Sequence, residues 1–159
     1  MSDANPQDHD FLGRVFALAQ RSRDAGHHPF AAMVVAADGT VIAEAMNASS
    51  SDRTAHAEMN ALRQASQRYS PQQLASATLY SNAEPCAMCA GGTYWSGVGR
   101  VVYGMSETSL LALTGSDPEN PTLALPCREV FARGQRPTEV IGPLREDEAR
   151  RAHADFWQK

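Results

Sequence analysis

The stretch NAEPCAMCAG, Asn82–Gly91, places Cys86 and Cys89 two residues apart directly after a proline. The chain holds three cysteines in 159 residues, so two of them in one such pair call for a chemical reason. Three chemistries use a Cys-x-x-Cys: a redox dithiol, half of a four-thiolate structural zinc site, or part of a catalytic metal site. A four-thiolate site needs a second pair, and Cys127 alone cannot supply it. Upstream, TAHAEMNAL offers His56 and Glu58, far enough ahead of Cys86 for one helix and one strand to lie between. A histidine at that distance favours a metal site over a redox pair.

The physical chemistry of the three groups agrees. Positive helix ends lower thiol pKa values, and the thiolate is the form that binds metal. Two sulfurs and one imidazole suit zinc, and three protein ligands leave a fourth position open to water. Zinc lowers the pKa of such a water from 15.7 to about 7, which points to catalysis. Glu58 lies on the same first turn as His56, so its carboxylate can reach that water without joining the ligands. A carboxylate placed there can move a proton from water to substrate, a role worth on the order of 10²–10⁴ in rate. Hydrolytic replacement of an amine on an aromatic ring carbon needs such a shuttle.

These residues must be carried by elements that bring them together. Residues 1–7 read as a flexible lead-in, and 8–159 as one domain. From Asp8 the spacing of Phe11, Val15, Leu18 and Ala19 predicts a helix that Gly26 stops. Two apolar runs, Ala31–Ala36 and Thr40–Ala45, flank Asp38-Gly39 and predict a hairpin. A second helix starts near Ala55, and ATLYSN (Ala77–Asn82) predicts a strand. Pro85 then opens a third helix over Cys86–Trp95. RVVYG is a buried strand, Ser106–Leu113 a helix, Gly115–Pro126 a loop and Arg128–Arg133 a short helix. Thr138–Gly142 is a last strand and Glu146–Trp157 a closing helix. Strands joined through helices imply an α/β fold, a mixed sheet covered on both faces. Adjacent helices then start at one edge of that sheet, where His56, Cys86 and Cys89 would meet.

His-x-Glu followed by Pro-Cys-x-x-Cys resembles the signature of the cytidine deaminase-like zinc deaminases. TAHAEMNALRQA and EPCAMCAGGTYWSGVGRVVYG resemble the branch that holds guanine deaminases and tRNA adenosine deaminases. The resemblance runs from about Phe11 to Trp157. It implies a three-layer α/β/α fold with a five-stranded mixed sheet, one zinc on His56, Cys86 and Cys89, and Glu58 as proton shuttle. It also implies that Asn47 hydrogen-bonds the base, that Phe30 stacks on it, and that Ala57 offers its main chain. Trp95 matches a tryptophan of the guanine-deaminase-like group. Asp117, and Phe156 or Trp157, are candidates for an acidic loop residue and a closing aromatic. The Thr114–Pro126 loop departs from the family pattern. A homodimer is implied as well, with the closing aromatics in cis or from the partner.

Composition narrows the partners. Hydrophobic residues at 43% and charged residues at 20% are ordinary for a globular domain. The net charge of -4 and a pI near 5.7 weigh against a nucleic-acid binder. Three cysteines are too few for a secreted disulfide framework. MSDANPQDHD lacks the basic and apolar regions of a signal peptide, so a cytoplasmic location is expected. No segment approaches the ~20 apolar residues of a membrane span. His9 and His153 are expected at the surface, His27 and His28 in a solvated loop with the pocket mouth as the alternative, and Cys127 as a small buried hydrophobe. The expected substrate is a free base or nucleoside, guanine first, with tRNA adenosine, a cytosine-type base, or a non-catalytic zinc scaffold as alternatives.

Overall fold

The computed structural model describes residues 3–157. Helix α1 spans Pro6–Asp24 and begins earlier than its periodicity suggests. Asn5 and Asp8 form a reciprocal cap: the Asn5 side chain accepts the Asp8 N–H, and the Asp8 carboxylate accepts the Asn5 N–H, both at 2.9 Å. Pro6 sits at the first helical position, where its missing N–H costs nothing. Residues 5–7 are therefore the start of a helix rather than a flexible lead-in; residues 1 and 2 lie outside the described part.

The sheet has five strands in the order β2-β1-β3-β4-β5. Strands β1 (Ala31–Val35) and β2 (Val41–Met46) form the expected hairpin, with Gly39 at φ 89° in its turn. Strand β3 (Thr78–Ala83) runs antiparallel to β1, and β4 (Arg100–Met105) and β5 (Glu139–Ile141) continue in parallel with β3. Alternate residues face opposite layers. Leu79 and Val101 pack with Ala61, Leu62 and Phe131, while Tyr80 and Val102 pack with Leu12 and Val15 of α1. The first group belongs to the face covered by α2 (Ala57–Ser66), α4 (Ala87–Ser96) and α6 (Cys127–Ala132). The architecture is the three-layer α/β/α arrangement with a five-stranded mixed sheet.

Two details differ from the periodicity. A short α3 (Pro71–Leu74) is held by a Ser70–Gln73 capping box. The closing helix is interrupted: after α5 (Glu107–Thr114), α7 covers only Glu146–Arg150 and passes into a 3₁₀ turn at Arg151–His153. Asp155 then adopts φ 57°, which turns the chain so that Trp157 packs back beneath His28 and Phe30. His153, expected at the surface, is buried, and its Nδ1 accepts the Trp157 indole N–H at 2.9 Å. Among the described residues no helix is long and apolar enough to cross a membrane.

Candidate metal centre and base pocket

His56 and Cys86 occupy equivalent places, the N-cap positions of α2 and α4. Neither side chain makes the capping bond that Ser, Thr, Asp or Asn would make there, so both remain available. Cys89 is one turn further along α4 and fully buried. The two helix starts are held together by close packing: a Cβ on Gly92 would come within 2.5 Å of the Met59 sulfur of α2. His56 Nδ1 lies 3.6 Å from each of the two sulfurs, and the three candidate ligand atoms fall within 4.8 Å of one another. Tetrahedral zinc with bonds of about 2.3 Å to sulfur and about 2.05 Å to nitrogen requires an N···S separation of about 3.55 Å. The donor set and its spacing fit zinc. Among the described residues no fourth ligand-type side chain joins the trio.

Electrostatics divide the protons unevenly. The hydrogen bond from Cys89, with one from His56, outweighs burial and pulls the Cys86 thiol down to about 4. The Cys89 thiol is pushed up, first by its hydrogen bond to the Cys86 thiolate and then by burial. The His56 imidazole is raised, chiefly by its bond to Cys86. Glu58 is only 6% exposed, and burial, reinforced by the Cys86 thiolate, pushes its carboxyl up to about 7. A carboxyl at that level can both accept and release a proton near neutrality.

A cavity of about 340 Å³ opens over the trio, with His56, Glu58 and Cys86 on one wall and Phe30, Asn47 and Met88 among the others. Residues 118–123 of the α5–α6 loop roof it. Asn47 is buried, and its Oδ1 already accepts the Ser49 N–H (3.0 Å) and hydroxyl (2.8 Å). Its amide therefore offers donors, not an acceptor, to the cavity. Phe30 lines the cavity and is backed by the His153 and Trp157 rings at 5.2 and 6.1 Å between centroids.

Other expected positions lie elsewhere. Trp95 does not line the cavity and is 81% exposed. It follows Cys86 by nine residues on α4, which at about 100° per residue sets it on the opposite side of the helix. The Asp117 Oδ1 accepts the Glu119 N–H at 3.0 Å in a turn outside the cavity wall. It is Glu119 that lines the rim, paired with His28 at 3.6 Å. Phe156 and Trp157 do not touch the cavity; they form a second layer behind His28 and Phe30. Ala57 is fully buried, and its side chain does not line the cavity.

Two buried carboxyls were missed by the sequence reading. Glu84 and Glu107 both line the cavity. Glu84 accepts the Glu107 N–H with Oε1 (3.0 Å) and the Cys127 N–H with Oε2 (2.8 Å). It thereby ties the first residues of α5 and α6, the helices on either side of the roof loop, to the strand end that leads into Cys86. Cys127, fully buried at the start of α6, fills the space expected of it. The one available cue was the position of Glu84, directly before Pro85-Cys86.

The sequence profile of the cytidine and deoxycytidylate deaminase zinc-binding region matches residues 5–105. The chain belongs to that family and is a hydrolytic nucleobase or nucleoside deaminase with a zinc site. Along almost its whole length it is similar to a probable cytosine deaminase of Schizosaccharomyces pombe, 36% identical over 98% of this chain and 96% of the relative. Guanine deaminase of Bacillus subtilis is 42% identical over 62% of this chain and 64% of its own. A tRNA-specific adenosine deaminase of Haemophilus influenzae is 36% identical over 63% of this chain and 59% of its own. Among solved structures, a guanine deaminase from Nitrosomonas europaea superposes with a TM-score of 0.75 at 28% identity, covering 98% of this chain and 86% of that one.

Proposed function

We propose that this protein deaminates a free nucleobase, with guanine as the first substrate, giving xanthine and ammonia. The observation that carries the reading is the shape of the site: the His56–Cys86–Cys89 trio ends in a walled cavity whose Phe30 face and Asn47 amide suit one flat heterocycle. His56, Cys86 and Cys89 would hold one zinc per chain, which when bound supplies the Lewis acidity that makes water a nucleophile near neutral pH. Glu58 is placed to accept one proton from the attacking water and pass it to the ring nitrogen beside the attacked carbon. It would then take the remaining proton of the added hydroxyl and deliver it to the amine, which leaves as ammonia while the ring carbon becomes a carbonyl. Phe30 holds the ring by its face, and the Asn47 Nδ2 donates to a carbonyl or ring nitrogen. Ala57 is the first residue of α2, where helix geometry leaves an N–H without an intrahelical acceptor, and that amide is offered to the base edge.

Cytosine is the second reading, favoured by similarity to the S. pombe relative over nearly both full lengths. An anticodon adenosine fits less well, because RNA binding draws on a basic surface and this chain carries a net charge of -4. A non-catalytic scaffold would have no use for a buried Glu58 beside the ligands. The same proposal includes a homodimer that covers the exposed Trp95 of α4, and a cytoplasmic enzyme. The decisive assay is ammonia release from guanine, adenine, cytosine, their nucleosides and an anticodon stem-loop. Turnover of guanine is expected; reaction of the stem-loop alone would overturn the free-base reading.

A further inference from the structure

We infer that Glu107 selects free bases over nucleosides by accepting the ring N–H that the glycosidic bond removes, an inference that rests on the free-base reading above. Glu107 is the first residue of α5, 7% exposed, and lines the same cavity as His56 and Glu58. Among the described residues, no hydrogen bond or ion pair reaches its carboxyl oxygens; its backbone N–H alone is engaged, by Glu84. The buried, unpartnered side-chain polar atoms among the described residues are His27 Nδ1 and His153 Nε2. The Glu107 oxygens are therefore open to the cavity, and an acceptor that faces a cavity without a donor is a place for a ligand's donor.

The neighbouring acceptors are already committed. Both oxygens of Glu84 hold backbone amides, Asn47 Oδ1 holds Ser49, and Glu119 faces His28 at the rim. Glu107 is the buried side-chain acceptor left over on these walls. Its orientation is fixed from behind, because Glu84 grips its amide and the Ser106 hydroxyl caps the same helix turn by accepting the Ser109 N–H at 3.1 Å. Leu110, one turn on along the same face of α5, also lines the cavity and is apolar.

Burial, reinforced by Cys86, Glu84 and Glu58, pushes the Glu107 carboxyl up to about 8. Ionised or neutral, it keeps an acceptor oxygen that matches a single in-plane N–H donor. Free guanine has such a donor on its five-membered ring, and free cytosine has one on the nitrogen that carries the sugar in cytidine. In a nucleoside that hydrogen is replaced by carbon, and the carboxyl is left buried and unpaired. A ribose hydroxyl can donate to a carboxyl, but it stands at least two bonds beyond the glycosidic carbon, so it cannot occupy the place of the lost N–H while the ring stays where it is.

The test compares kcat/KM for guanine with that for 9-methylguanine, which keeps the ring and loses the N–H. If cytosine is the better substrate, the pair is cytosine and 1-methylcytosine. The wild-type protein should prefer the unmethylated base by about 10- to 100-fold. Glu107→Leu should shrink that ratio at least about tenfold while keeping zinc at the wild-type level. Glu107→Gln, which retains one acceptor oxygen, should shrink it less, and it decides the matter by the same ratio if the leucine variant loses zinc. A ratio unchanged in the variants overturns the inference while leaving the free-base reading intact. A wild-type protein that reacts only with the stem-loop overturns both.

Discussion

Glu58 combines two properties that seldom coincide, near-complete burial and a place on the same helix turn as a metal ligand. Burial moves its carboxyl up to about 7, where giving and taking a proton cost nearly the same. Replacing it with alanine should leave zinc content and melting temperature near wild type while lowering kcat by about 10²–10⁴. Steady-state kinetics with parallel elemental analysis checks this, and retained turnover would remove Glu58 from the reaction. Asp8 does a different job with the same functional group. Although burial opposes its charge, hydrogen bonds from Arg100, from the Asn5 amide and from Tyr80 hold its carboxyl below the usual range. The stability it contributes is present above the unfolded carboxylate pKa of about 3.9 and is lost as pH falls through the lower folded value. Asp8→Asn should cost about 3 kcal/mol at neutral pH, because it leaves Arg100 without its bidentate partner. Urea unfolding should show this deficit narrowing below about pH 4, and a deficit independent of pH would refute the assignment.

At the scale of elements, the metal centre depends on two helix starts being adjacent, and Gly92 permits that adjacency. The roof depends on a different device. Glu84 fastens the first residues of α5 and α6, so both ends of the loop over the cavity are referred to the strand that leads to Cys86. Glu84→Gln keeps the size of the side chain but retains only one acceptor oxygen, so one of the two amides loses its bond. KM should rise about tenfold with kcat changed less than about threefold and zinc retained. Hydrogen exchange at residues 115–126 should accelerate in the same variant. If exchange there stays at the wild-type rate, the loop is held by something else.

How much of this was legible in the sequence depends on how local each cause is. The convergence of His56, Cys86 and Cys89 was legible because the spacing within a helix turn is written in adjacent residues, and both motifs fall on helix starts. The five strands were legible from apolar runs and turn signals. Trp95 lies off the cavity because a matched position carries no direction: helix geometry turns it away from Cys86 and out to solvent. Glu84 and Glu107 escaped because their roles arise from contacts 23 and 43 residues apart, which no local pattern encodes. The end of the chain misled for a similar reason, since the α-helix gives way to a 3₁₀ turn at Arg151–His153 and Asp155 then takes a positive φ where the residue types alone continue a helical pattern.

For the molecule as a whole, the exposed Trp95 of α4 is the residue that the proposed homodimer would cover. Light scattering should report a dimer, and Trp95→Glu should shift it toward monomer; a wild-type monomer at micromolar concentration would contradict the dimer. The whole fold otherwise serves one end of the sheet, where an imidazole and two sulfurs converge with no fourth ligand-type side chain beside them among the described residues. X-ray absorption at the zinc edge of the purified protein tests this most directly. The expected spectrum has two sulfurs at about 2.3 Å and two nitrogen or oxygen neighbours at about 2.0 Å, one of them exchangeable with added ligand. A shell of four protein ligands that resists exchange, or protein that takes up no zinc when it is supplied, would contradict the account.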